Sequence, residues 1–154
     1  MIDVRALTHS EFFGDPNLEA LIDAYRKECA NKAFGDVPPP DVEQYRRLYE
    51  LGQLVVLGAY DGEKLVGFVL LLVTAVPHYA GMPLVVVESI FCDPGYRHKG
   101  VGRALLTHAR EVAFSRKAAG VYVTAPAGSR FERLLQLTAR HTNTTFFLPA
   151  KEEA

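Results

Sequence analysis

The stretch Val85–Leu106 reads V-V-V-E-S-I-F-C-D-P-G-Y-R-H-K-G-V-G-R-A-L-L. It passes from an apolar run through an Asp-Pro-Gly turn into a basic, glycine-containing loop that opens a long amphipathic segment. Hydrophobic period predicts a strand over 84–92 and a helix over 100–117. The first turn of a helix leaves backbone N–H groups unpaired at the positive end of the helix dipole, so this junction is built to receive an anion. Gly100 and Gly102 bring no side chain to hold a ligand off the backbone, and Arg97, His98, Lys99 and Arg103 surround the same mouth with basic groups. A polyphosphate fits that chemistry. The pattern is not a dinucleotide fingerprint, because Leu105 stands where a third glycine belongs, and it lacks the Gly-Lys-Ser/Thr ending of a P-loop. The rival reading of the two glycines is that they merely relieve crowding at a helix start.

Working outward from this stretch, Ile2, Val4 and Ala6 alternate with Asp3, Arg5 and Leu7 as in a half-buried strand. A loop through Gly14, Asp15 and Pro16 follows. Leu18, Leu21, Ile22 and Tyr25 then recur at helical spacing, predicting a helix over 17–30 with Asp15 as its cap. Residues 31–40 contain Gly35 and three consecutive prolines and form a loop. A helix over 41–51 ends at Gly52. Residues 54–60 and 64–76 flank Asp61-Gly62 and predict a hairpin, since Asp-Gly suits a tight turn with positive φ. A second loop covers 77–83. After the central strand and helix come a strand over 121–124, a short helix over 131–140 and a last strand over 144–148, which Pro149 ends.

Composition bounds the answer. The 154 residues are one domain's worth, 1–154, and enough to bury a core; 49% hydrophobic and 23% charged residues are ordinary for a soluble globular chain. A formal net charge of −1 gives no reason to expect nucleic acid or an anionic membrane as partner. The longest apolar run is too short to span a bilayer. Cys29 and Cys92 lie far apart with no ligand spacing around them, and Met1 leads into a strand rather than a signal-like run, so a reduced, cytoplasmic setting is expected. His9, His98 and His141 lack partners at ligand spacing, so no metal is expected. His108 lies on the inner face of the central helix, as a satisfied, partly buried histidine would.

Arg97-x-x-Gly100-x-Gly102, set between a strand ending Phe91-Cys92-Asp93-Pro94 and a helix beginning Arg103-Ala104-Leu105-Leu106, resembles the signature of the GNAT family of acyl-CoA-dependent N-acyltransferases. The predicted order of elements is also similar to that fold over nearly the whole chain. The resemblance implies an α/β architecture, a central mixed sheet flanked by helices, in which a bulge interrupts the central strand and two parallel strands splay apart. It implies that acetyl-CoA lies in the gap, its pantetheine arm against the main chain of Ile90, Phe91 and Cys92. Its pyrophosphate would lie on the N–H groups of His98, Lys99, Gly100, Val101, Gly102 and Arg103, beside Arg97. Segments 125–130 and 141–147 also resemble, more weakly, those of phage- and prophage-borne members.

Alternation places Glu88 on the face of Val86 and Ile90, where desolvation would make a carboxylate a better proton acceptor. By resemblance an acidic residue on this strand deprotonates the attacking amine; the rival reading is a carboxylate satisfied by a neighbouring hydroxyl or basic group. Transfer would be direct, in a ternary complex. In many members a tyrosine near the domain's end protonates the departing thiolate, but here no tyrosine follows Tyr122, and the acid is unassigned among water, Ser129 and Tyr79. Cys92 reads as a small apolar residue rather than a nucleophile. Tyr25, Tyr45 and Tyr49 pack at helical spacing on helices that would border the acceptor. Phe34 forms an acceptor wall or stiffens its loop, while His78 and Tyr79 are better placed for substrate contact. The expected acceptor is a primary amine of a small molecule or a protein, and a homodimer through the last strands is a further expectation. A non-catalytic acyl-CoA sensor is the main alternative; a nucleic-acid-modifying enzyme would call for a broader basic surface.

Overall fold

The computed structural model describes residues 1–29 and 34–151. Five strands form one sheet in the order β1 (Ile2–Leu7), β2 (Leu54–Asp61), β3 (Lys64–Val76), β4 (Met82–Cys92), β5 (Val121–Tyr122). The first four pair antiparallel and β4 pairs parallel with β5, which α4 (Val101–Ser115) makes possible by crossing over. The result is the expected mixed sheet flanked by helices. Gly62, at φ +62°, closes the β2–β3 hairpin beside Asp61, as the Asp-Gly pair predicts.

Each sheet face carries its own core. One face receives α1 (His9–Phe13), α2 (Leu18–Cys29) and α3 (Val42–Glu50), which pack around Phe12, Leu18, Leu21, Phe68 and Phe91. On the other face α4 lays down Val101, Leu105, Ala109 and Ala113, one residue per turn, onto Leu57, Val66, Val69, Leu71 and Val85. The alanines let the helix lie close, and Gly67 is the matching recess: a Cβ there would stand 2.9 Å from Val101 Cγ1 and 3.0 Å from Phe91 O.

Several boundaries differ from expectation. α1 was expected to be loop; Thr8 begins it with a reciprocal cap, its hydroxyl accepting from Glu11 N (3.1 Å) while the Glu11 carboxylate accepts from Thr8 N (2.7 Å). Ala6 is exposed and Leu7 buried, reversing the alternation read for β1 at its end. Residues 77–79 form one turn of 3₁₀ helix, and β4 begins two residues early. The last strand is not formed: residues 141–149 have no regular structure, and Phe146 and Leu148 are 86% and 91% exposed. Alternating aromatic and β-branched residues make a strand only against a ladder partner, and β5 offers just two residues to pair with. The dimer expected through that strand therefore has no such element to use in the chain on its own.

Candidate active site

The site is assembled where β4 loses its neighbours. β5 pairs with β4 only at Val85↔Val121 and Val86↔Tyr122, so among the described residues Val87–Cys92 are bonded to β3 alone and their other edge is open. Main-chain direction along this edge follows from the register. Asp93 N donates to Val66 O (2.9 Å), and bonding residues alternate in an antiparallel ladder, so Phe91 turns its N–H and C=O to β3. Ile90 and Cys92 turn theirs to the gap. Of the three residues expected to present main chain there, Phe91 instead has its backbone committed to the sheet and its ring buried against Tyr25 and Phe68.

A β-bulge sets the position of Glu88. Leu70 pairs with Ser89 and Leu71 with Val87, which leaves Glu88 as the extra residue. The bulge shifts the alternation. Val85 and Val87 pack on the α4 face, Ser89 and Phe91 are buried away from it, and Ile90 joins the α4 side. Glu88 accordingly does not share a face with Ile90, and it is exposed rather than sunk among aliphatic side chains. Its carboxylate accepts from both sides: Tyr45 Oη donates to Oε1 (2.6 Å) and Ser89 Oγ to Oε2 (2.8 Å). Burial, and then the Glu88 bond, hold the Tyr45 hydroxyl far above the usual tyrosine range. Burial also raises Tyr25, with the Glu88 charge adding to it. A cleft of about 190 Å³ opens here, lined by Asp41, Gln44, Tyr45, Leu48, Leu72 and Glu88.

The basic loop follows from the end of β4. Asp93 caps a 3₁₀ helix over Pro94–Lys99, and Gly100, at φ +79°, turns the chain into α4 in the left-handed conformation that favours glycine. No side chain caps α4. Its first backbone bond runs from Ala104 N to Gly100 O (3.0 Å), so the N–H groups of Val101, Gly102 and Arg103 have no partner within the helix. A Cβ built on Gly100 or Gly102 meets nothing within 4 Å, so crowding is not what requires glycine at either position. Val101 is fully buried, which pins the loop to the core and leaves only its main chain for a ligand. His98, Lys99 and Arg103 are exposed. Arg97 is already engaged: its guanidinium donates to Glu28 Oε2 (2.6 Å) and to Cys92 O (3.3 Å). It braces the loop against α2 instead of reaching freely into the mouth.

The remaining expected site residues lie elsewhere. His78 and Tyr79 stack edge-on at the β3–β4 turn. Glu88 lies six positions along β4 from Met82, roughly 20 Å at the usual rise. Phe34 is exposed and meets Phe147 edge-on, with ring centroids 5.5 Å apart. None of the three lines the Glu88 cleft. Cys92 is half-buried, and burial pushes its thiol up to about 11, against a nucleophilic role. Ser129 is used as the cap of α5 (Arg130–Thr138), accepting from Glu132 N. His108 bonds Ala104 O at 3.0 Å, a satisfied helix histidine. Among the described residues, no group of three or more His, Cys, Asp or Glu is placed to hold a metal ion, and no helix is long and apolar enough to cross a membrane. Sequence reading missed Tyr45 and Glu28 as partners of Glu88 and Arg97, because nothing in local spacing marks contacts across 43 and 69 residues.

Comparison with solved structures gives matches along the whole chain. A ribosomal-protein-alanine N-acetyltransferase from Brucella melitensis biovar Abortus 2308 superposes with a TM-score of 0.73 at 20% identity, covering 99% of this chain and 100% of that one. An aminoglycoside acetyltransferase from an uncultured soil metagenomic sample, in complex with trehalose, gives 0.74 at 20% identity over 97% of each chain. AAC(6')-Iy, in complex with the bisubstrate analog CoA-S-monomethyl-acetylneamine, gives 0.72 at 17% identity over 98% of this chain and 99% of that one. At these identities the likeness speaks to the fold. No curated protein matches the sequence. The family model described as Acetyltransferase (GNAT) family matches residues 18–135, a span holding the bulged β4, the glycine loop and α4. With that span matched and the open strand edge beside an uncapped helix start, the chain belongs to the GNAT acetyltransferase family.

Proposed function

We propose that the chain transfers an acetyl group from acetyl-CoA to a primary amine by direct attack in a ternary complex. One observation carries the reading: amides at the start of α4 without a partner among the described residues, and the open edge of β4, lie in sequence with a bulged carboxylate facing a cleft. The N–H groups of Val101, Gly102 and Arg103, with Lys99 and His98 nearby, would bind the diphosphate. Ile90 and Cys92 would bond the pantetheine arm as an added strand. Held amine and thioester react with much of the entropic barrier already removed. Glu88 takes the proton from the attacking nitrogen, the tetrahedral intermediate collapses, and the carbon–sulfur bond breaks. A thiol of ordinary pKa, about 8.5, leaves as thiolate and takes its proton from solvent, so no tyrosine acid is needed.

The cleft favours a cationic acceptor, since Asp41 and Glu88 line it beside Leu48 and Leu72. Small amines with several cationic groups fit that lining, and likeness of fold to aminoglycoside acetyltransferases supports the same class. His78 and Tyr79 would then meet only the far end of an extended acceptor. A protein N-terminus is the competing acceptor, favoured by the ribosomal-protein-alanine N-acetyltransferase of the same fold. The test is thiol release from acetyl-CoA with aminoglycosides, polyamines and N-terminal peptides, using the parent and Glu88→Gln. Turnover with a cationic small amine that falls at least a hundredfold in Glu88→Gln is expected. Coenzyme binding without turnover on any amine would make the protein an acyl-CoA sensor instead.

A further inference from the structure

We propose that Tyr45 is a positioning residue: with Ser89 it holds the Glu88 carboxylate in one orientation, turned to the acceptor cleft. The inference rests on the transferase reading above. An exposed glutamate ordinarily samples many rotamers, and a proton acceptor that wanders loses rate. Here the bulge places Glu88 and Ser89 side by side, and each carboxylate oxygen accepts one bond, from Tyr45 Oη at 2.6 Å and Ser89 Oγ at 2.8 Å. The phenol is itself held. Its ring lies 5.6 Å from that of Phe13, and α3 is fixed at its start by Asp41, whose carboxylate accepts from Gln44 N (3.0 Å).

This constellation leaves a definite task for Tyr45. Its hydroxyl stays protonated at working pH, raised by burial and by Glu88, so it donates to the carboxylate and does not supply a proton to the weaker base, the departing thiolate. Among the described residues, the other titratable groups facing Glu88 are Tyr25 from α2 and Asp41 from the start of α3, and neither donates to it. The carboxylate keeps lone pairs free for the amine because each oxygen accepts a single bond.

The experiment compares the parent protein with Tyr45→Phe and Ser89→Ala. Phenylalanine keeps the ring against Phe13 and removes only the donated bond. With Tyr45→Phe, kcat should fall roughly tenfold or more while affinity for coenzyme A and the melting temperature hold. KM for the amine should hold while kcat falls, a split that a packing role alone would not cause. Ser89→Ala should lower kcat in the same way. Ultraviolet titration of tyrosinate gives a readout independent of turnover: in Glu88→Gln one tyrosine should ionise at lower pH than in the parent. Parental kcat in Tyr45→Phe, or a tyrosine titration unmoved by Glu88→Gln, overturns this inference and leaves the transferase reading intact. A parent protein that turns over no amine overturns the transferase reading and the catalytic role of Tyr45 with it, even where the titration still reports the pair.

Discussion

Replacing Gly102 by alanine separates folding from coenzyme binding at the motif that defines this chain. Gly102 lies in the first turn of α4 without positive φ, and a Cβ there has nothing within 4 Å. Alanine therefore meets no clash and restricts the unfolded chain, stabilising the fold by about 0.5–1 kcal/mol. For a domain of this size that raises Tm by roughly 1–4 °C. Binding moves the other way. Helical Cα–Cβ bonds lean toward the N-terminus, so the added methyl projects to the mouth where the proposed diphosphate would meet the Val101, Gly102 and Arg103 amides. Displacing a phosphate oxygen from one such bond costs about 1.5–3 kcal/mol, or roughly a tenfold to hundredfold rise in Kd. Differential scanning fluorimetry and calorimetry with coenzyme A read the two effects on one sample. Coenzyme affinity equal to the parent's would refute the anion site, and a lowered Tm would refute the open space around Gly102.

Gly67→Ala tests the opposite situation: its Cβ would stand 2.9 Å from Val101 Cγ1, 3.0 Å from Phe91 O and 3.4 Å from Leu105 Cδ1. Overpacking of that kind costs about 1–3 kcal/mol, so a Tm loss of roughly 5 °C is expected, with weaker coenzyme binding as Val101 is pushed off its seat. An unchanged Tm would contradict the close approach of α4 to β3. For Cys92, burial raises the thiol to about 11, against a partial lowering by Arg97. Thiolate is the reactive form, so at pH 8 only about one Cys92 thiol in a thousand is ionised, and the alkylation rate mapped by mass spectrometry should climb about tenfold per pH unit until pH nears 11. Fast labelling of Cys92 at neutral pH would reopen the acyl-cysteine route.

Much of the architecture can be read from local signals. Helical spacing in 17–30 and 41–51, Asp-Gly at 61–62 and the Arg97-x-x-Gly100-x-Gly102 run each depend on neighbours a few residues away, and helices form over Leu18–Cys29 and Val42–Glu50, close to where they are read. α1 was readable too, since Thr8-x-x-Glu11 is a capping box, but a helix of five residues has too few turns for its period to stand out. Long-range bonding defeats the same approach. Thr144–Leu148 has strand composition and no strand, because a ladder needs a second edge that two-residue β5 does not extend.

The sequence alone marks the basic, glycine-containing junction into α4, since a helix start, two glycines and their basic neighbours lie within seven consecutive residues, and short-range geometry needs no other part of the chain. The surroundings of Glu88 are set by long-range packing. One bulged residue in β4, set by pairing with β3, reverses the side-chain alternation and turns the carboxylate from an expected aliphatic setting to the hydroxyls of Tyr45 and Ser89. Arg97 likewise looks free in sequence and is tied to Glu28 in space. Pairing register and contacts between distant segments are settled by how the whole chain packs, because each is a choice among alternatives that local preference leaves nearly equal in energy.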